Sequence, residues 1–361
     1  MGNTPVGENY RKAYQDFSGG IDNYLSPLLI EQNQFTELTN ALVNKTGVLE
    51  KATGYALDGT PFPDVPGSFI RMITNFKRGS TVDKLIVAAS DAGNTNIRYN
   101  VDLKETIGNG TYSYFGHTTG TATFTAAGTA VVGVGTTWLT QLKAGDKIKS
   151  TTHLDSAYTE ILSVTSNTTL TLVPGGYLGA TVGVTAPYIA RIILDKDFMP
   201  TSVIFDNELF ITNGGEVPMT YNNTTVNLIT SPTAPRGKFC ATHKSRVFVA
   251  GTTSGPSSIY WSAVDDISTW DAAAFEPIFA DDNGNISNIV SFSDSLIVIK
   301  DNGKMYQVVG SFDQDAVGTP DFIRKIDNPD NMGAISGFTA AVHDDNKLYF
   351  LSETGVYALD A

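Results

Sequence analysis

NIVSFSDSLIVIKDNGKMYQVV, residues 288–309, reads as an apolar strand, a short polar turn, a second apolar strand, a Gly-containing turn and a third strand bearing Tyr306. Ile297 and Ile299, followed by Lys300 and bounded by turns, show the alternation of a sheet buried on one face. The same pattern recurs in four other places. It runs from Met72 through KLIVAA (84–89) to Tyr99, and through SVIFDNELFITNGGEVPMTY (202–221). It returns in FCATHKSRVFVAGTTSGPSSIYW (239–261) and FTAAVHDDNKLYFLSETGVYAL (338–359). With the middle strand of each copy as a ruler, the marks are Leu85, Leu209, Val247, Leu296 and Leu348. The last four are 38, 49 and 52 positions apart. Periods of roughly 40 to 50 residues with several strands per unit are the signature of β-propeller blades. A run of hairpins in a β-sandwich is the competing reading, and the regular spacing favours the propeller.

The first interval, Leu85 to Leu209, spans 124 positions and holds a unit of its own at 118–187. Its Thr/Gly-rich strands carry Trp138, Leu139, Leu142, Ile148, Ile161, Val164, Leu170 and Leu172, enough for a small core. A domain inserted in a surface loop costs little, because loop-closure entropy grows slowly with length. We expect a small β-sandwich or barrel inserted into an all-β propeller. The only helix expected is 28–43, LLIEQNQFTELTNALV, where Phe35, Leu38, Leu42 and Val43 recur at helical spacing and Gly47 follows as a stop. The expected organisation is therefore an arm (1–15), helix and extended connection over 1–70, with PFPDVPG at 61–67. A first propeller part follows at 71–117, then the insertion at 118–187 and the remaining blades at 188–361.

Composition narrows the function. Of 361 residues, 41% are apolar, enough for a core, and only 17% are charged. Lys and Arg number 24 against 37 Asp and Glu, a net charge of −13. Duplex DNA is held chiefly through neutralised phosphates, so this balance argues against tight DNA binding. An acidic channel wall would instead let DNA slide past. The lone Cys240 excludes an intramolecular disulfide and Cys-rich zinc sites. The first twenty residues lack the apolar stretch of a signal peptide, and no apolar run reaches bilayer length, so neither export nor a membrane anchor is expected.

No catalytic set emerges, and no cofactor or metal is expected. His117, His153, His243 and His343 are far apart, and the last two fall in equivalent turns of their repeats. DDNGN (281–285) and DNPDNMG (327–333) have some of the oxygens of a calcium loop, but Gly284 stands at the wrong offset and no Glu closes the first. Asx turns explain both. GVGTTW (133–138) lacks the Lys and helix of a phosphate loop. In YWSAVDDISTWDA (260–272), Tyr260, Trp261 and Trp270 would stack on a sugar if exposed and anchor a blade if buried. Asp265 and Asp271 form a weaker candidate pair for glycoside hydrolysis.

Several segments resemble a known family. DFSGGIDNYLSPLLIEQNQFTELTNALVNKTGVLEKATGY (16–55) is similar to the opening of β-propeller proteins of tailed bacteriophages, with Phe17, Gly19, Gly20, Asn40, Gly47, Lys51, Gly54 and Tyr55 in the family's positions. SRVFVAG…IYWSAVDDISTWDA (245–272), LIVIKDNGKMYQVVG (296–310) and LYFLSETGVYALD (348–360) resemble its blades. Gly120 through Trp138 resembles a Gly/Thr module recurrent in phage structural proteins. The resemblance implies a tail or neck protein of the nozzle (tail tubular protein B) or hub type. It implies a homo-oligomeric ring, commonly of six, around the DNA exit channel. The expected partners are the adaptor or connector, tail fibres or tip proteins, and double-stranded DNA passing without specific binding. The location would be the virion tail, after synthesis in the host bacterial cytoplasm. An adhesin or carbohydrate-binding propeller is the alternative.

Overall fold

The computed structural model describes residues 20–21, 34–35, 41–43, 49–51, 70–79, 82–90, 101–106, 112–114, 116–152, 158–194, 199–312, 322–326, 333–343 and 346–360. The chain divides into two compact units, Met1–Asp58 and Gly59–Ala361.

Within the first unit, Gly20–Ile21 pairs in parallel with Gln34–Phe35, and Ala41–Val43 pairs antiparallel with Leu49–Lys51. The helix expected over 28–43 is therefore corrected at the residues described there. The ladder Ala41↔Lys51, Leu42↔Glu50 and Val43↔Leu49 takes the backbone that a helix would have used. Helical spacing of apolar side chains is a weak preference that pairing with a distant segment overrides. The expected arm (1–15), the Pro-rich connection (61–67), His153 and Asp327–Asn331 lie outside the described residues.

The second unit is built from propeller-like blades, antiparallel sheets whose strands follow one another in chain order. Blade two is Thr201–Phe205, Glu208–Thr212, Met219–Tyr221 and Val226–Leu228. Blade three is Phe239–His243, Arg246–Ala250, Ser258–Ala263 and Asp266–Pro277. Blade four is Ile286–Phe292, Ser295–Lys300, Met305–Val309 and Phe322–Lys325. Blade five has Ala340–His343, Lys347–Ser352 and Gly355–Asp360. All five ruler residues sit on the second strand of their blade, and Leu209, Val247, Leu296 and Leu348 are fully buried. First strands of consecutive blades lie side by side.

Blade one shows how the long interval is accommodated. Ile70–Arg78, Val82–Ser90 and Val101–Thr106 form its first three strands. The outer edge of Val101–Thr106 pairs with two separate pieces, Tyr112–Tyr114 and Ile193–Leu194. Between them the chain makes an eight-stranded sheet that begins at Gly116–His117 and ends at Tyr188–Arg191. This sheet is a single curled half-barrel. Its concave core holds Phe124, Trp138, Leu142, Ile148, Ile161, Leu170 and Leu172. Leu139, expected among them, is exposed instead, because the single helical turn Trp138–Gln141 directs Trp138 and Gln141 inward. The Trp138 indole donates to Tyr188 Oη at 3.0 Å, and Tyr188 donates to the Thr119 carbonyl at 2.8 Å. Gly120 (φ +86°) is required here, since a Cβ would lie 2.5 Å from the Val134 carbonyl oxygen.

Adjacent blades are joined by shared apolar clusters. Phe205 and Phe210 of blade two meet Cys240, Val249 and Trp270 of blade three. Phe248 and Trp261 of blade three pack with Ile289, Val298 and Tyr306 of blade four. Ile297 and Ile299 then meet Leu348 and Phe350 of blade five.

Candidate functional site

The aromatic trio is divided by the pleat of blade three. Trp261 is 1% exposed, with ring centroids 5.3 Å from Phe312 and 6.0 Å from Phe248. Trp270 is 5% exposed, packs near Phe210 at 6.2 Å, and donates its indole N–H to the Ile267 carbonyl at 2.9 Å. Tyr260 is half-buried and stacks on Phe275 at 5.9 Å. Sugar stacking needs an exposed ring face, so Trp261 and Trp270 are corrected to blade anchors. Of the candidate carboxylate pair, Asp271 is exposed, and its Oδ1 accepts from the Ala273 amide at 2.8 Å. Asp265 lies in the tight turn after Ala263 with φ +52°.

The acidic loop at 281–285 is organised around a lysine. Lys300 ends the fully buried strand Ser295–Lys300, and its Nζ lies 2.7 Å from Asp282 Oδ1 and 2.9 Å from the Phe279 carbonyl. Tyr306 donates to Asp282 Oδ2 at 2.5 Å, and the Gly284 amide donates to Oδ1 at 3.0 Å. Burial opposes ionisation of Asp282, but donation from Lys300 and Tyr306 outweighs it and holds the carboxyl well below its ordinary range. The same burial and carboxylate push Tyr306 upward. The Lys300 ammonium thus neutralises Asp282, which stands between the alternating oxygen ligands Asp281, Asn283 and Asn285 that a calcium loop would use. Among the described residues no group of three or more His, Cys, Asp and Glu is arranged to hold a metal.

A second buried ion cluster fastens the insertion to blade two. Lys143 Nζ contacts Asp146 Oδ1 at 2.9 Å and Glu216 Oε1 at 3.2 Å, and also donates to the Ile193 carbonyl. Asp146 accepts from the Ile193 amide at 2.9 Å, while Asn213 Nδ2 donates to Glu216 Oε2 at 2.8 Å. Although burial opposes its charge, the two carboxylates hold the Lys143 ammonium above its ordinary pKa. Sequence reading passed over this triad. The available signal was that Lys143 and Asp146, three apart, interrupt a long uncharged run.

The histidines serve the repeat. His243 and His343 close the first strand of their blades, opposite Arg246 and Lys347 across the hairpin turn. His243 Nδ1 lies 2.9 Å from Ser291 Oγ, linking blade three to blade four. His117 is buried where the insertion begins, and desolvation lowers its pKa to about 4, only partly offset by the Gln141 carbonyl.

The acidic excess of the chain is not carried by the inner edge of the blades. Their first strands contain no Asp or Glu; the charges there are Arg71, Lys77 and Arg78, all on blade one. Acidic residues gather at strand turns, as in the groove of about 400 Å³ between blades two and three where Asp206, Glu208, Asp265 and Asp266 meet.

No protein-family model matches this sequence, and no relative was found among curated proteins. Solved structures give distant likenesses. One is a phage phi92 endosialidase, with 14% identity and a TM-score of 0.31, covering 84% of this chain and 55% of that one. The chain thus spans little more than half of that protein. Others are YCF48 bound to D1 peptide (10% identity, TM-score 0.33, 84% and 83% covered) and Sqt1 from Saccharomyces cerevisiae (10%, 0.35, 89% and 77%). At these values the functions of those proteins carry nothing over to this one.

Proposed function

We propose that this chain is a structural protein of a bacteriophage tail or neck, a propeller block in a homo-oligomeric ring around the DNA exit path. It docks the adaptor or connector and the fibres or tip proteins, and resides in the virion after synthesis in the host cytoplasm. What supports this reading is the architecture: propeller-like blades interrupted by a curled half-barrel, whose opening strands contain the Gly120–Trp138 stretch that resembles the phage module. A net charge of −13 leaves few cations to neutralise phosphates, so a ring of such subunits would let a duplex pass without gripping it. The insertion, held by the Lys143 cluster, supplies a rigid projection for neighbours. The alternative of a sugar-binding propeller loses its platform with the burial of Trp261 and Trp270.

Electron microscopy of the purified protein and of the virion tests the proposal. A ring with an axial channel and matching tail density is expected; monomers with no such density would overturn it.

A further inference from the structure

The insertion presents one sheet face to solvent whose chemistry differs from the rest of the molecule. Paired across neighbouring strands on this face are Thr121 with Val134, Thr123 with Val132, Val132 with Thr169, and Ala130 with Thr171. On Thr159–Ser166, the strand beyond Thr169–Leu172, Leu162 faces outward next to buried Ile161. Val132, Val134 and Leu162 are 49%, 54% and 51% exposed. No charged residue occurs between 118 and 142 or between 161 and 190. Residues 116–191 hold four cations (Lys143, Lys147, Lys149, Arg191) and three anions (Asp146, Asp155, Glu160), net +1, which leaves −14 on the remainder of the chain. Three of the hydroxyls satisfy one another: Thr165 Oγ1 lies 2.8 Å from Thr169 Oγ1, and Ser166 Oγ lies 2.6 Å from it.

We infer that this face is a self-association surface, and that its occupant is a second copy of this chain. Two copies at −13 repel across most of their surfaces, and this is an area where they approach without opposed charge. Hydroxyls already paired lose little on leaving water, and three exposed aliphatic side chains gain from it. A polyanion would meet cations only on the strand beyond Leu162, where Lys147 stands opposite Glu160. A sugar would find no ring to stack on, since Phe124, Trp138, Tyr177 and Tyr188 are buried behind the sheet and Tyr158 is flanked by Lys149 and Arg191.

The inference rests on the proposed self-assembly and names the surface that performs it. Sedimentation velocity of the full chain across a concentration series would compare the wild type with the double variant Val132→Glu, Val134→Glu. Both sites point to solvent, and a thermal melt checks that the fold is kept. At least about tenfold weaker association is expected, from like charge set against like charge. A photo-crosslinking residue at Val132 in the otherwise unchanged chain should join two copies, with the receiving peptide read by mass spectrometry. Unchanged association in a folded variant, with no inter-copy crosslink, overturns the surface while leaving the ring reading standing. A wild type that is monomeric at every concentration overturns the surface, and together with a virion tail lacking matching density it overturns the ring reading too.

Discussion

Lys300 is the kind of residue that decides whether a blade holds together. Its ammonium is enclosed at the end of an apolar strand and satisfied by Asp282 and the Phe279 carbonyl. Asp282→Asn leaves that charge without its counter-ion, and breaking a buried pair from one side costs roughly 3 to 5 kcal/mol. Adding Lys300→Met to that variant should recover most of the loss, because removing both charges removes the uncompensated one. Thermal melts of the two variants check this; equal melting temperatures would refute it. The sign of the pH effect follows from the depressed carboxyl: its contribution is complete above about pH 4 and lost as acid drives the pH below that value. His117 acts over an earlier window. Its folded pKa of about 4 lies below the unfolded value of 6.5, so the unfolded chain takes up the proton first. Stability should therefore fall as pH drops from 6.5 towards 4, by about 3 kcal/mol from this residue. His117→Gln should flatten the melting temperature over that interval. An unchanged slope would show that the ring is hydrated in the folded protein.

Hairpins and clamps govern the elements. Blades two and three turn between their first strands through two residues, Asp206–Asn207 and Lys244–Ser245, all four with positive φ. This geometry matches the twist of the flanking strands but strains a side chain that is not Gly or Asn. Ser245→Gly should stabilise by roughly 0.5 to 1 kcal/mol, and Ser245→Val should destabilise by more, as read by thermal melts. The insertion depends on its ion cluster. Glu216→Ala removes the contact from blade two, so hydrogen exchange should quicken at 147–150 and 188–194 while Ser295–Lys300 stays protected. Uniform exchange across all three would mean that the insertion is held by other contacts. What sequence made legible belongs to this scale. Blade strands and the insertion's core announce themselves through local alternation, and Leu209, Val247, Leu296 and Leu348 all proved to be buried second-strand positions. The Ala41–Val43 strand was illegible because its partner, not its own spacing, decides it. Glu216 and Lys143 were illegible for the same reason, being 73 positions apart in the chain. Trp261 and Trp270 read equally well as exposed or buried until their blade was packed against its neighbours.

At the scale of the whole molecule, charge is arranged rather than merely abundant. Acidic side chains crowd the turns between blades two and three, the inner strands carry none, and the insertion's strands Thr121–Phe124, Ala130–Val134 and Thr169–Leu172 carry no charge at all. Association through a neutral face between two bodies of like charge has a signature opposite to that of an interface built on ion pairs. Raising the salt from about 0.1 M to about 1 M shortens the Debye length from about 10 Å to about 3 Å. Repulsion between acidic bodies is then screened, while burial of Val132, Val134 and Leu162 is retained. Self-association should therefore strengthen with salt, measured by sedimentation equilibrium in a salt that interacts weakly with proteins. If it weakens instead, opposite charges must meet at the contact, and the acidic groove between blades two and three becomes the surface to mutate. The same logic separates DNA passage from DNA binding. A duplex that only passes should show no salt-sensitive affinity for the assembled ring, because few phosphate counter-ions are released. A steep fall in affinity with salt would place cations along the path and refute a conduit that does not grip its cargo.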